Sequence, residues 1–202
     1  MNFDVLIIGG GAAGMSCALI LGSAKEKSYA ENKKVGIILH QKTSHLQNAL
    51  FFNVLGLAPG TSGKEILENG PIQLKNRYPH VLQIEKEKVL EIASESDGFV
   101  VKTNKAIYIS KEVVVAVGYT DLMKIKGLEK YIIPHKKALT AKNRIQLINS
   151  DHLIERGLYV AGSLAGHRSQ YAIACGSGAA VATDILTGWN NGDHAVVHDK
   201  LE

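Results

Sequence analysis

Apolar and polar positions along this chain fall into blocks whose spacing changes from strand-like to helical and back. Residues 5–8 and 35–39 are short, almost unbroken apolar runs, the pattern of parallel strands buried on both faces. Between them, residues 12–22 (AAGMSCALILG) predict a helix and residues 25–34 (KEKSYAENKK) a polar turn. That makes one strand–helix–strand unit. Residues 43–61 mix Gly, Pro and Asn with scattered apolar positions and predict a loop over whatever the unit binds. Residues 62–77 predict a second helix, which Gly70-Pro71 should interrupt or kink and Tyr78-Pro79 should end.

Residues 81–84 and 88–93 then read as strands and Asp97-Gly98 as a turn. Residues 99–103 and 106–109 alternate as the arms of a hairpin should. Residues 111–117 form another buried strand, ending at Gly118. Residues 119–157 carry too little periodicity to assign. A short strand at 158–161 ends at Gly162, and residues 172–186 predict a helix rich in glycine and alanine. The tail from Gly188 is polar and should fray. The expected architecture is α/β, with a central parallel sheet, helices on both faces and a small antiparallel layer from residues 81–109. One domain should span residues 1–188, with 189–202 as a polar tail.

The first turn carries the most readable chemistry. Gly9, Gly11 and Gly14 form G-x-G-x-x-G between a strand and a helix. The first glycine allows a tight turn, the second lets backbone approach a pyrophosphate, and the third lets the helix pack close to the strand. From Ala12 and Ala13 onward, free N–H groups at the helix start would face an anion. A dinucleotide is the expected ligand. The same rule places Asp or Glu at the end of the second strand, where this sequence has His40 and Gln41. A neutral imidazole or amide can bond a ribose hydroxyl, without the charge assistance of a carboxylate. Gln41-Lys42-Thr43-Ser44 would also suit a 2′-phosphate, so NADP(H) at this single site stays open as an alternative.

Composition narrows the class. The chain has 202 residues, 46% hydrophobic and 21% charged, which is ordinary for a globular protein. Its longest apolar runs stop short of the roughly 18 residues that indicate a membrane span. The N-terminus enters a strand without a secretory pattern, so the expected location is cytoplasmic. Net charge is +4 with Lys and Arg interleaved with Glu, which argues against a nucleic-acid partner. Cys17 and Cys175 lie far apart, so the chain has no C-x-x-C dithiol and no cysteine-rich metal site, and no metal is expected. Cys17 reads as a core thiol; Cys175 reads as a core thiol or, if exposed, a redox-active one. His45, His135 and His167 read as solvent or loop residues, and no side chain stands out as an acid–base catalyst.

Three elements together resemble one family. They are the glycine turn, a strand ending AVGYTD (116–121), and GLYVAGSLAGHRSQYAIACGSGAAVATDIL (157–186). The chain resembles the thioredoxin reductase-like FAD-dependent pyridine nucleotide oxidoreductases over residues 3–118 and 155–187. The resemblance implies a Rossmann-like FAD/NAD(P)-binding fold with FAD as cofactor. It implies that Gly9, Gly11, Ala12, Ala13 and Gly14 cradle the pyrophosphate, with His40 and Gln41 near the ribose. Val89 would reach adenine through its backbone. Val117-Gly118 stands where the family has the end of an A-T-G element, and Gly162-Ser163 where it has Gly-Asp. Gln170, Tyr171 and Ala172 would begin a helix aimed at the pyrimidine edge of the flavin, where N–H groups stabilise the charge of the reduced ring.

The departures shape the expected function. Ser163 replaces an aspartate, and only 43 residues separate Gly118 from Gly162, where the family inserts an NAD(P)H domain. One strand–helix–strand unit alone takes about 30 residues. GSGAAV at 176–181 falls inside a helix, where its glycines should serve packing. The expectation is an FAD-binding flavoprotein oxidoreductase that is not a thioredoxin reductase. Its reductant would come from outside, as NAD(P)H or a partner reductase, and a homodimer is left open. The alternative is a nucleotide-binding module or redox sensor without turnover.

Overall fold

The two N-terminal apolar runs become β1 (Asn2–Ile8) and β2 (Val35–Leu39), with α1 (Ala12–Ser23) between them. The computed structural model describes residues 1–40, 44–119 and 124–197, apart from the His45 side chain. Gln41, expected at the ribose, lies outside the described residues, as do Lys42 and Thr43. Val5 to Ile8 are all buried, which is why β1 shows no alternation.

The following loop holds two short strands, β3 (Leu50–Phe51) and β4 (Thr61–Ser62), paired antiparallel. Helix α2 (Gly63–Arg77) starts with a capping box: the Glu65 N–H donates to Ser62 Oγ at 3.1 Å, and the Ser62 N–H donates to the Glu65 carboxylate at 3.1 Å. Gly70-Pro71 does not interrupt it. Leu67 and Leu74 are buried on either side of the proline, and the Pro71 carbonyl accepts from Gln83 Nε2 at 2.9 Å. Packing thus outweighs the bond that proline removes.

Next come β5 (Leu82–Glu85), β6 (Val89–Glu95), β7 (Gly98–Thr103) and β8 (Ile107–Val115). The sequence pattern splits this last strand in two, but it is continuous. One edge of β8 follows β1 in parallel from Ile109 to Val115. Its other edge pairs antiparallel with β7 over residues 107–110, then meets a parallel neighbour over residues 113–115. The change from alternating to apolar marks a change of neighbour, not a strand end. The segment that carries little periodicity supplies β9 (Ile132–Pro134), β10 (Ile145–Leu147) and β11 (Leu153–Glu155), followed by β12 (Leu158–Val160) and α3 (Tyr171–Trp189).

The main sheet runs β11-β12-β8-β1-β2-β5, parallel from β12 to β5, with the β6–β7 hairpin joined to β8. One face is covered by α1, α2 and α3 through Cys17, Leu21, Leu74, Val181 and Ile185. The other face is closed by β6, β7 and the segments around Ile125, Leu128 and Leu147. Helices on both faces were expected. Instead, among the described residues, the α-helices share one face and the antiparallel layer replaces helices on the other. No described helix is long and apolar enough to cross a membrane.

The described part of the expected frayed tail, up to Val197, is docked. Helix α3 extends to Trp189, whose Nε1–H donates to Glu112 at 3.1 Å, and Ala195 is buried against the α1 face. Burial pushes the Glu112 carboxyl up to about 7, against hydrogen bonds from Trp189 and Tyr159 and the charge of Lys33. The folded state therefore holds this proton more tightly than the unfolded chain does. Its contribution to stability is full below about pH 4.5, falls as pH rises toward 7, and is level above that. Glu112→Gln keeps an acceptor for Trp189 and removes the ionisation. In urea denaturation at about pH 8 the variant should exceed the parent by roughly 1–3 kcal/mol, and the two should converge near pH 4. Equal stability at pH 8 would contradict this account of Glu112.

Candidate functional site

The three glycines of the first turn have three different environments. Gly9 sits at φ +111°, a conformation that strains other residues, and a Cβ there would stand 2.5 Å from the Ala116 carbonyl oxygen. A Cβ on Gly14 would overlap the Gly9 carbonyl, so the start of α1 can approach the turn only at glycine. At Gly11 a Cβ would meet nothing within 4 Å. The turn is therefore tight at its ends and open in the middle. Gly11 is the N-cap of α1, with no side-chain cap and no acidic residue in the first turn, so the positive end of that helix is left for a ligand.

The opening leads into a cleft of about 490 Å³ along the C-terminal ends of β1, β2, β5 and β8. Open parallel sheets bind ligands at this edge. Gly9, Gly11, Ala12, Ala13, His40, Val89, Val117, Gly118, Gly162, Ser163, Gln170 and Tyr171 all line it. Gly14 does not, because it lies beneath the turn. Ala172 does not either: Tyr171 and Ala174, three residues apart, share the lining face of α3, and Ala172 is turned away and exposed. The 43–61 loop does pass over the cleft, contributing Ser44, Leu46, Ala49 and Phe51. The Phe51 and Tyr171 rings stand 5.1 Å apart across it.

Helix α3 brings a second uncapped N-terminus. Its N-cap Gln170 makes no side-chain cap and its first turn has no acid. A Cβ on Gly178 would overlap the Ala13 carbonyl, so glycine lets α3 lie against the start of α1. Gly176, by contrast, faces open space, so only one glycine of that pair serves packing. Both positive helix ends thus meet one cleft. Lys124 and Arg168 line it as well, and Glu87 is the single carboxylate among the described lining residues.

Behind Gly162-Ser163 lies a polar layer. The His135 ring accepts from the Lys137 N–H at Nδ1 (3.1 Å), so Nε2 carries the proton and donates to the Ser163 carbonyl at 3.1 Å. His135 lies in a loop, one of the two settings expected for it, but is buried there and not in solvent. The Gly162 N–H donates to Ser177 Oγ at 2.8 Å, and Ser177 Oγ lies 2.9 Å from His152 Nε2. His167 Nε2 is 3.0 Å from the same His152 nitrogen. Burial, then the neighbouring His152 and Lys137, hold the His167 imidazole below its usual range, which favours a neutral ring. This layer fixes the loop that delivers Arg168, Ser169 and Gln170. The Ser163 hydroxyl itself makes no hydrogen bond among the described residues.

Reading the sequence missed Glu87, Lys88, Tyr119, Lys124, Ile125, Arg168 and Ser169. All come from connections between elements, where periodicity carries no signal. Among the described residues, no group of three His, Cys, Asp or Glu side chains could hold a metal ion.

A sheet edge with a glycine turn and two open helix ends defines a Rossmann-like nucleotide-binding fold of the oxidoreductase type. The model of the pyridine nucleotide-disulphide oxidoreductases matches residues 3–178, and the chain belongs to that family. The ferredoxin–NADP reductase of Streptococcus pyogenes is 29% identical over 123 residues, 57% of this chain and 34% of the relative, so the chain spans about a third of that relative's length. Among solved structures, an oxidoreductase from Agrobacterium tumefaciens superposes with a TM-score of 0.71 at 16% identity, covering 96% of this chain and 100% of the other. A ferredoxin-flavin thioredoxin reductase from Clostridium acetobutylicum gives 0.67 at 17%, covering 94% and 99%. These likenesses show the fold.

Both cysteines are free. Cys17 is fully buried in α1, and burial raises its thiol far above the usual range. Cys175 is half-buried on α3, beside Tyr171, whose hydroxyl burial and the Cys175 contact push up to about 12. Alkylation of the native protein at about pH 8 should modify Cys175 and spare Cys17 until the chain is unfolded. Mass spectrometry of the labelled peptides checks this. Native labelling of Cys17 at the rate of Cys175 would contradict the packing of α1.

Proposed function

We propose that the cleft binds FAD and that the chain is a flavin-dependent oxidoreductase whose electrons arrive from outside it. The observation that carries this reading is the pair of uncapped helix N-termini facing one cleft. A pyrophosphate needs the first, and a ring that becomes anionic on reduction suits the second. The open space at Gly11 supports the fit, since a diphosphate must approach backbone there. The apolar walls from Leu46, Phe51, Val117 and Ile125 match a flat heteroaromatic ligand, and the cleft volume falls within the range of cofactor sites.

When bound, FAD supplies hydride or electron transfer. The chain's own residues do the rest. Gly11, Ala12 and Ala13 hold the diphosphate through backbone. Phe51 and Tyr171 exclude water over the cleft. Ser163, where the family resemblance implies an aspartate, offers one neutral hydroxyl in place of a carboxylate, so the ribityl end would be held less firmly. The α3 N-terminus favours the reduced, anionic ring and so raises the tendency to accept electrons.

Residues 119–161 bear on the source of those electrons. Their described part forms the β9–β10 pair and β11 and packs through Leu128 and Leu147 into the sheet's second core. This supports a reductant that is not covalently part of the chain: freely diffusing NAD(P)H or a partner reductase. Disulfide exchange requires an attacking thiolate and a resolving thiol. A buried Cys17 and a lone Cys175 are poor candidates, so electrons would leave the flavin by another route.

Gly11→Val tests the reading directly. Gly11 has φ −75° and a Cβ there is unopposed, so the variant should fold, losing at most about 1 kcal/mol at the N-cap. Its side chain fills the space the diphosphate needs. FAD affinity should fall at least tenfold, about 1.4 kcal/mol, with the thermal transition nearly unchanged. Undiminished FAD binding by folded Gly11→Val protein would defeat the proposal.

A further inference from the structure

The usual ribose carboxylate at the end of the second strand is missing, since β2 ends at Leu39 and the next residue is the exposed His40. The neighbouring strand supplies one. Strand β5 runs parallel to β2 with Glu85 opposite Leu39. Lys86, at φ +57°, turns the chain there and donates its N–H to the Leu39 carbonyl at 3.0 Å. The turn delivers Glu87 to the cleft beside His40 and Val89, at the end where the β2 carboxylate would have stood.

Among the described residues, Glu87 is held from one side only. Its Oε2 accepts from Thr103 Oγ1 at 2.7 Å and from the Tyr108 hydroxyl at 3.0 Å. Thr103 is itself fixed by N–H groups of Lys105 and Ala106, at 3.1 and 2.9 Å. The Lys88 N–H donates to Asn104 Oδ1 at 2.8 Å, which ties the segment to the same β7–β8 turn. Two hydroxyls therefore orient the carboxylate, and Oε1 has no partner among the described residues. An oriented, half-buried carboxylate with a spare oxygen in a cleft is an acceptor awaiting a donor.

We propose that Glu87 is the ribose-reading carboxylate of this cleft, and that the cleft selects adenine nucleotides with a free 2′-hydroxyl over 2′-phosphorylated ones. A 2′-hydroxyl donates to Oε1, whereas a 2′-phosphate would set a second anion against it. The inference rests on the reading of the cleft as a dinucleotide site, and it argues against NADP(H) as the occupant. A purely structural Glu87, serving only to tie β5 to the β7–β8 turn, would treat all these nucleotides alike.

The test is titration calorimetry of the full chain, freed of bound flavin, with AMP, ADP, 2′-deoxy-ADP, adenosine 2′,5′-bisphosphate and IDP as probes. The parent should bind ADP about tenfold or more tighter than 2′-deoxy-ADP, the scale of one charge-assisted hydrogen bond, and should bind AMP tighter than the 2′,5′-bisphosphate, which differs from it by the 2′-phosphate alone. In Glu87→Gln, which can still bond Thr103 and Tyr108, both preferences should shrink to about threefold or less. In Glu87→Ala, if its thermal transition shows a folded chain, they should vanish. Equal binding of ADP and 2′-deoxy-ADP by the parent, or a preference that survives in Glu87→Gln, would overturn the proposal while leaving the dinucleotide site intact. So would a Glu87-dependent preference for ADP over IDP without one over 2′-deoxy-ADP, which would assign the carboxylate to the adenine amine. Failure of every probe to bind the parent would overturn the proposal and the dinucleotide reading together.

Discussion

Three backbone segments in this fold meet where only glycine permits. The Gly9 carbonyl lies where a side chain at Gly14 would be, the Ala13 carbonyl where one at Gly178 would be, and the Ala116 carbonyl where one at Gly9 would be. These contacts lock β1, the start of α1, the middle of α3 and the end of β8 into one block at the sheet's C-terminal edge. A single methyl at any of them must push carbonyl groups apart, which a close-packed interior resists. The block leaves one opening, at Gly11. The cleft exists because its floor is too tight for side chains and its entrance is unobstructed.

The same block sets the electrostatics. Bringing α3 against α1 places two helix starts side by side, and neither is capped by its own side chains. Helix ends with unmet N–H groups are costly unless water or a ligand meets them. Here the unmet groups share the cleft with Lys124 and Arg168, so the region is positively polarised along its length, with Glu87, beside His40 and Val89, as the exception. A ligand with an anionic centre, an electron-accepting ring and a hydroxylated sugar answers all three features. Behind this surface, His135, His152, His167 and Ser177 hold the Gly162–Gln170 loop by hydrogen bonds, while Leu164 anchors it in the second core. Within this layer, burial favours a neutral His167 ring.

Much of the fold was legible because the relevant forces are local. Apolar runs buried on both faces marked β2 to the residue and the C-terminal half of β1, whose first three residues carry no such run, and the glycine turn marked the candidate site. Tertiary contacts decided the places where reading failed. Helix α2 runs through Pro71 because a capping box and two buried leucines hold it. Strand β8 is continuous because β1 follows it across the change in its other neighbour. The segment after Gly118 was unreadable since its strands are three residues long, too short to show a period. In the site, the glycines and helix starts were visible, while Glu87, Tyr119 and Arg168 come from connections whose direction only the folded chain sets.

The central claim is that this cleft holds FAD. The most direct measurement is the visible spectrum of the purified full chain, followed by mass spectrometry of whatever it releases on denaturation. The account predicts a yellow protein whose flavin absorbance leaves with denaturation, or a colourless one that becomes yellow when FAD is added and retains it through gel filtration. The released compound should have the mass of FAD, not of FMN or NADP. A folded chain that neither carries nor takes up FAD, or that releases NADP, would contradict it.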